Sequence, residues 1–311
     1  MYEQDLADFK AHYRERIPAM FSAVSDLYAE YWHDFFHFAL FERDDEPWEA
    51  AFARTHGLYF DYLKVAQAER VLEMGCGRGG FSNLLADQTP GSVLGIDLSP
   101  AQLAHARRYE RANLRFQQHD IMEVDTLGET FDAVVCLDAA CYLPDKRLAV
   151  EKVGRLLRPG GRFLLVDWCK PDDLGSIPEE LVLHPFMRYW AVPSLETPEG
   201  YRRHFQRAGL DVLRVDDLNA QARPNWNFGY ERALDGVKEL SERSMLDLIW
   251  TGMKLGQEGV RLIKEQFHAA LYIKAGFDGG FLRYTLVLGE KPAGPGREPG
   301  RPPSLAGYRL G

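Results

Sequence analysis

The chain has 311 residues and a formal net charge of −9, from 37 basic and 46 acidic side chains. That balance excludes a broad nucleic-acid or anionic-membrane surface, because phosphate contact needs a basic footprint. Its 46% hydrophobic and 27% charged residues are ordinary for a globular protein, and the length suits one large α/β domain with an insertion or two modest domains.

The N-terminus, MYEQDLADFKAHYRER, is too charged for a signal peptide, and no window nears about 18 uninterrupted apolar residues, so no membrane span is expected. Cys76, Cys136, Cys141 and Cys169 contain no Cys-x-x-Cys pair. Free thiols in a reducing cytoplasm are therefore expected, rather than a disulfide framework or a zinc site. Residues 1–69 read as helices, with an aromatic-dense stretch from Tyr28 to Phe38. The texture then alternates. Short apolar runs at 71–75, 92–97, 113–120, 131–139 and 162–168 predict five strands, with helical segments after the first, second and fourth. Ser99-Pro100 starts one helix as cap and first-turn proline, and Arg158-Pro159-Gly160-Gly161 is expected to stop the helix begun at Asp145. A helix at 197–209, a sixth strand at 210–218, a long helical insertion at 219–279 and a seventh strand at 281–292 complete the pattern. The Gly- and Pro-rich remainder reads as a disordered tail. Strand alternating with helix predicts a doubly wound, mostly parallel α/β sheet of seven strands.

Gly75-Cys76-Gly77-Arg78-Gly79-Gly80 fits G-x-G-x-x-G between a strand and a helix, a turn that lets backbone approach a nucleotide. Alone it does not separate a nicotinamide cofactor from S-adenosylmethionine, and Asp97 at the end of the second strand would suit ribose hydroxyls in either case. Three features do separate them. Glu73 inside the first strand would favour a cationic cofactor and repel a pyrophosphate. Asp120 and Ile121 close the third strand, where they could meet an adenine. The Leu157–Phe163 turn leads into a further strand.

Together Glu73-x-Gly75-Cys76-Gly77-x-Gly79, Gly95-Ile96-Asp97-Leu98-Ser99 and Leu157-Arg158-Pro159-Gly160-Gly161 resemble the class I S-adenosylmethionine-dependent methyltransferases. The resemblance implies S-adenosyl-L-methionine as cofactor, bound through Glu73, Gly75, Cys76, Gly77, Asp97, Leu98, Asp120, Ile121 and Leu137. It implies a Rossmann-like sheet divided into an N-terminal helical lid (1–69), a cofactor-binding core (70–218), a helical acceptor-binding insertion (219–280), a final core strand (281–292) and a tail (293–311).

The stretch Ser25–Phe38, the segment Cys136–Asp145 and the closing Ala275–Phe281 are similar to those of sterol C-24, tocopherol and alkaloid methyltransferases. Asp138 stands where that group commonly has Glu, and Tyr142 where it commonly has His. Those departures weigh against a sterol acceptor and leave a hydrophobic small molecule, an isoprenoid, sterol-like lipid or secondary metabolite, methylated on carbon, nitrogen or oxygen. Asp138, Tyr142 and His37 are the candidate catalytic bases. His37, flanked by phenylalanines, also fits a buried structural histidine. Trp168 would line the acceptor pocket or simply pack, and Arg202, Arg203, His204 and Arg207 read as a solvated helix face. The apolar run Met245–Phe267 would form a lipid-like pocket or a dimer contact, for a monomer or homodimer. No metal is expected, since no ligand spacing appears. A cyclase on the same fold and an NAD(P)-dependent oxidoreductase are the competing readings.

Overall fold

The structure, a computed structural model, describes residues 2–32 and 34–293; of the tail expected at 293–311, all but its first residue lies outside them. Seven strands build one sheet: β1 (Arg70–Met74), β2 (Ser92–Asp97), β3 (Leu114–Gln118), β4 (Phe131–Leu137), β5 (Leu157–Cys169), β6 (Asp211–Asp217) and β7 (Arg283–Glu290). Their order is β3-β2-β1-β4-β5-β7-β6, with β1 to β5 parallel and β7 antiparallel to both neighbours. From β1 the chain winds outward through β2 and β3, then returns to place β4 on the other side of β1. The carboxyl ends of β1 and β4 therefore flank the switch point, where open α/β sheets hold their ligands.

Alternate strand residues enter two separate cores, as the period of a strand requires. Val71, Val135 and Val166 pack with α2 (Trp48–Leu63), α3 (Gly80–Gln88) and α4 (Pro100–Ala106) on one face. Leu72, Val134 and Leu165 pack with α5 (Lys146–Leu156) and α8 (Pro198–Arg207) on the other. The helix starts follow their cap residues: Ser99 Oγ accepts from Gln102 N, Asp145 Oδ1 from Leu148 N at 2.8 Å, and Thr197 Oγ1 from Gly200 N at 3.0 Å.

Before the sheet lies α1 (Tyr2–Trp32), kinked at His12. Between β5 and α8, where the sequence offered no periodic signal, α6 (Ser176–Pro178) and α7 (His184–Tyr189) flank a π turn at Glu179–Leu183. The expected helical insertion is two helices, α9 (Asn219–Glu242) and α10 (Met245–Asp278), the second bent at Gly256.

Three expected boundaries shift for local reasons. β3 ends at Gln118 because Asp120 turns back to cap the 3-10 helix at Ile121–Leu127. β4 ends at Leu137 because Asp138 takes a left-handed φ of 51°. The Arg158–Gly161 turn belongs to β5: Leu157 already pairs with Phe131, and pairing resumes at Arg162 with Ala133 after a bulge.

Candidate functional site

The glycine loop leaves β1 in a chain of left-handed residues, with φ of 73° at Gly75, 52° at Gly77 and 82° at Gly79. Gly75 N and Cys76 N both donate to Ile96 O, which ties the loop to β2. A Cβ at Gly75 would lie 2.4 Å from the Ala139 Cβ, so the loop and the end of β4 touch only because Gly75 has no side chain. Asp97 Oδ2 accepts from Gly77 N at 2.9 Å and Oδ1 from Ser99 N at 2.8 Å. A carboxylate so held retains lone pairs for further donors.

From this loop a cavity of about 400 Å³ runs to the helical insertion. Its loop end is lined by Gly75, Gly77, Asp97, Leu98, Asp120, Ile121 and Leu137. Its far end is lined by Trp168, Trp190, Asn225, Trp226, Tyr230 and Phe267. Asp138, Tyr142, Phe36 and Phe38 line it as well.

Asp138 Oδ2 accepts from Phe38 N and from the Tyr284 hydroxyl, both at 3.2 Å. Burial, reinforced by Asp167, pushes its carboxyl well above the usual carboxylate range. Its Oδ1 is buried and has no hydrogen-bond partner among the described residues, and the same holds for Trp168 Nε1. Behind it, Asp167 Oδ1 accepts from Cys141 N at 3.0 Å, and Lys146 Nζ donates to the Cys141 and Leu143 carbonyls. That buried pair fixes the turn that carries Asp138 and Tyr142.

The aromatic wall is braced from outside. Asn225 bonds both backbone groups of Ala39, holding the 38–40 segment to α9, and Trp226 stacks on Phe277 at 4.2 Å. Phe38 lies 5.3 Å from Trp168 and 5.1 Å from Tyr284 between ring centroids.

Three expected site residues do not line the cavity. Glu73 is buried behind the loop, where Ser82 Oγ donates to it, and burial raises its pKa to about 8. Cys76 is buried beside it, its thiol also raised by burial. His37 turns away into a layer of Phe35, Phe52 and Phe81, where its Nε2 meets His56 Nε2 at 2.9 Å. Burial and then His56 push its pKa well down. Its sequence neighbours Phe36 and Phe38 line the cavity instead, while Phe35, Phe52 and Phe81 surround the imidazole.

Other residues enter unannounced. Tyr13 and Arg14 of α1 donate to Asp120 Oδ2, the Arg14 Nε contact measuring 2.7 Å. Tyr284 reaches Asp138 because β7 inserts beside β5 and sets it opposite Trp168. No local pattern signals either contact.

Arg202 and Arg203 pair with Glu199 on the outer face of α8, whereas His204, only 12% exposed, pairs with Glu196 and is not part of a solvated face. Of the apolar run in α10, Phe267 lines the cavity while Met253 and Val260 are exposed. All four cysteines are free and buried. Among the described residues no cluster of three or more metal-ligating side chains occurs, and no helix is long and apolar enough to cross a membrane.

A methyltransferase-domain family model matches residues 26–215. The chain belongs to that family. It is a class I methyltransferase, and its cofactor is S-adenosylmethionine. The tocopherol O-methyltransferase of Arabidopsis thaliana is 25% identical over 303 residues, covering 90% of this chain and 82% of that protein. The sterol 24-C-methyltransferase of Saccharomyces cerevisiae is 27% identical over 214 residues, covering 66% of this chain but only 55% of the yeast protein. A mycolic acid cyclopropane synthase shares the fold with a TM-score of 0.71 at 16% identity, covering 92% of this chain and 98% of that one. Family membership removes the nicotinamide reading of the glycine loop. The loop, the Asp97 carboxylate and the polar end of the cavity fit the cofactor: Gly75 and Gly77 bring backbone close, and Asp97 can accept from hydroxyls.

Proposed function

We propose that the enzyme methylates a hydrophobic small molecule, an isoprenoid, a sterol-like lipid or a secondary metabolite, held in the aromatic end of the cavity. The observation that carries this is continuity. One cavity joins the glycine loop, with Asp97 and Asp120, to a wall of Trp168, Trp190 and Trp226, and Asp138, its carboxyl buried, lines it too. S-adenosylmethionine supplies, when bound, an electrophilic methyl group on a cationic sulfur. The chain's own part is to align, to dry and to take a proton. Aromatic walls orient an apolar acceptor, and alignment alone can contribute roughly 7–11 kcal/mol to such a displacement. The π faces of Phe38, Trp168 and Trp226 also suit positive charge developing in the cavity. Asp138 receives the proton that the acceptor loses, and a carboxyl raised by burial is a stronger base than a solvated one once ionised. Tyr142 lies edge-on to Phe21 at 5.6 Å and shapes the wall beside it.

The test is an acceptor screen with radiolabelled S-adenosylmethionine, grouped into sterols, prenyl compounds, phenols and amines. Label in an apolar acceptor, with a product heavier by one CH2, is the expected result. Label transferred only to small hydrophilic amines, or a rearranged product of unchanged mass, would overturn the proposal; the second outcome would make the protein a cyclase.

A further inference from the structure

The start of α9 lies at the Asp138 end of the cavity: the rings of Trp226 and Phe38 are 6.2 Å apart, and Phe38 N donates to Asp138. From there the cavity follows one face of the helix. Asn225, Trp226, Gly229, Ala233, Gly236 and Glu239 line it in turn, mostly at the three- and four-residue spacing of a single helix face. Fourteen positions separate Asn225 from Glu239, which at the rise of an α-helix is about 21 Å. Exposure grows along the way. Asn225 and Trp226 are buried, Gly229, Ala233 and Gly236 half-buried, and Glu239 exposed, so the inner end is closed and the outer end meets water.

α10 lies along that face in the opposite direction. Trp226 stacks on Phe277 at 4.2 Å, and a Cβ at Gly236 would lie 3.2 Å from the Phe267 ring. Ten positions of each helix separate these two contacts, so the helices run in step, and Ala233 comes opposite Ala270. Between the contacts Gly229 and Ala233 on one helix and Ala270 and Ile273 on the other all line the cavity. Small residues between helices also serve close packing, but these four border open space. Two aromatic contacts thus bracket a slot walled by backbone and methyl groups, and its width is set by helices already touching at both ends. At the inner end Asp138 Oδ1 and Trp168 Nε1 are buried without a hydrogen-bond partner among the described residues, as are polar atoms that a bound molecule completes. At the outer end the lining turns polar, with Arg232, Glu239 and Gln266.

We propose that the slot between α9 and α10 selects an acceptor that is a single flexible hydrocarbon chain, isoprenoid or acyl, and rejects fused rings. The chain lies with its reactive end at Asp138 and Trp168 and its far end among Arg232, Glu239 and Gln266. Ala233 and Ala270 are the residues that admit it, because a larger side chain at either position fills the middle of the slot. Such an acceptor is one case of the apolar small molecule proposed above, and the role of the slot rests on that reading.

The slot can be tested without knowing the acceptor. The full chain, saturated with S-adenosylhomocysteine so that no transfer occurs, is titrated with geraniol, farnesol, geranylgeraniol and n-hexadecanol below their aggregation limits, and with cholesterol. Quenching of tryptophan fluorescence reads occupancy, since Trp168, Trp190 and Trp226 line the cavity. We expect affinity to rise about tenfold or more from geraniol to farnesol, and again to geranylgeraniol, as added apolar groups leave water. Ala233 lies eight positions beyond Asn225, about 12 Å along the helix and past the reach of geraniol. Ala233→Leu and Ala270→Leu should therefore each cancel the gain for the longer alcohols while changing geraniol affinity less than about twofold. Tight binding of n-hexadecanol or of geranylgeraniol supports the slot, and the tighter of the two tells an acyl from an isoprenoid chain. Binding that does not depend on length, or cholesterol bound as tightly as geranylgeraniol, would overturn the slot and leave an apolar acceptor standing. If none of the five binds, the apolar acceptor falls as well. If the leucine variants weaken every length alike or melt earlier, the two alanines serve helix packing and their selective role is refuted.

Discussion

At Asp97 a single carboxylate closes two backbone hydrogen bonds, to Gly77 and Ser99, and still faces the cavity. Removing it would loosen the glycine loop and, on the proposal that Asp97 accepts from cofactor hydroxyls, delete that acceptor as well. Asp97→Ala should therefore weaken S-adenosylmethionine binding about tenfold or more, roughly 1.4 kcal/mol, by calorimetry; an unchanged Kd would take Asp97 out of the cofactor site. Residues like this one were legible in the sequence because their chemistry sits at a strand end beside a glycine turn. Asp120, Ile121 and Asp138 likewise follow strand ends, and all three line the cavity. Glu73 and His37 do not line the cavity: one faces Ser82 behind the loop, and the other pairs with His56 nineteen residues away. Burial direction inside a strand or an aromatic cluster depends on what packs against it, and local pattern does not contain that.

Among the elements, α1 is held over the cofactor end of the cavity by polar contacts rather than by sheet pairing. Tyr13 and Arg14 engage Asp120, Arg14 also reaches Glu123, and Ser25 bonds Gln102 on α4. Arg78, Arg108 and Tyr109 converge on Asp34 just beyond the helix. Arg14 is 54% exposed, so its pair with Asp120 contributes under about 1 kcal/mol to stability. Its larger effect is on access. Arg14→Ala combined with Tyr13→Phe should leave the melting temperature nearly unchanged while speeding both S-adenosylmethionine dissociation and amide hydrogen exchange in α1. Dissociation at the unaltered rate would mean that α1 does not cover the cofactor. The helix itself was readable from the sequence, but not its attachment, since Tyr13 and Asp120 are 107 residues apart. The same contrast holds elsewhere. β2 and the caps at Ser99, Asp145 and Thr197 follow from local residue types, whereas the bulge at Arg158–Gly161 appears only once β4 offers Phe131 as a partner.

Across the whole molecule, the His37–His56 pair joins the segment after α1 to α2 and packs both on Phe81 of α3. Both rings are held neutral: burial lowers His56 from 6.5 to about 4, and His37 lies well below its ordinary value. An unfolded histidine takes up a proton near pH 6.5, while the folded pair refuses it until about pH 4. The unfolded chain thus binds more protons across that window, and stability falls as pH drops from 6.5 toward 4. The loss at His56 is on the order of 3 kcal/mol. Urea midpoints near pH 7 and pH 5 should show it, with His56→Phe losing less; parallel losses in both proteins would mean the rings are already charged. A different consequence follows from the strand order. β7 lies between β5 and β6, yet it follows both in the chain and is the last of the described strands to be synthesised. Until residues 283–290 emerge, β5 presents a bare hydrogen-bonding edge and β6 has no neighbour. The five parallel strands can assemble around the glycine loop during synthesis, while Tyr284 arrives only when the sheet is sealed. The half of the sheet that carries the glycine loop can thus form early, while the surroundings of Asp138 are completed only when β7 brings Tyr284 to it.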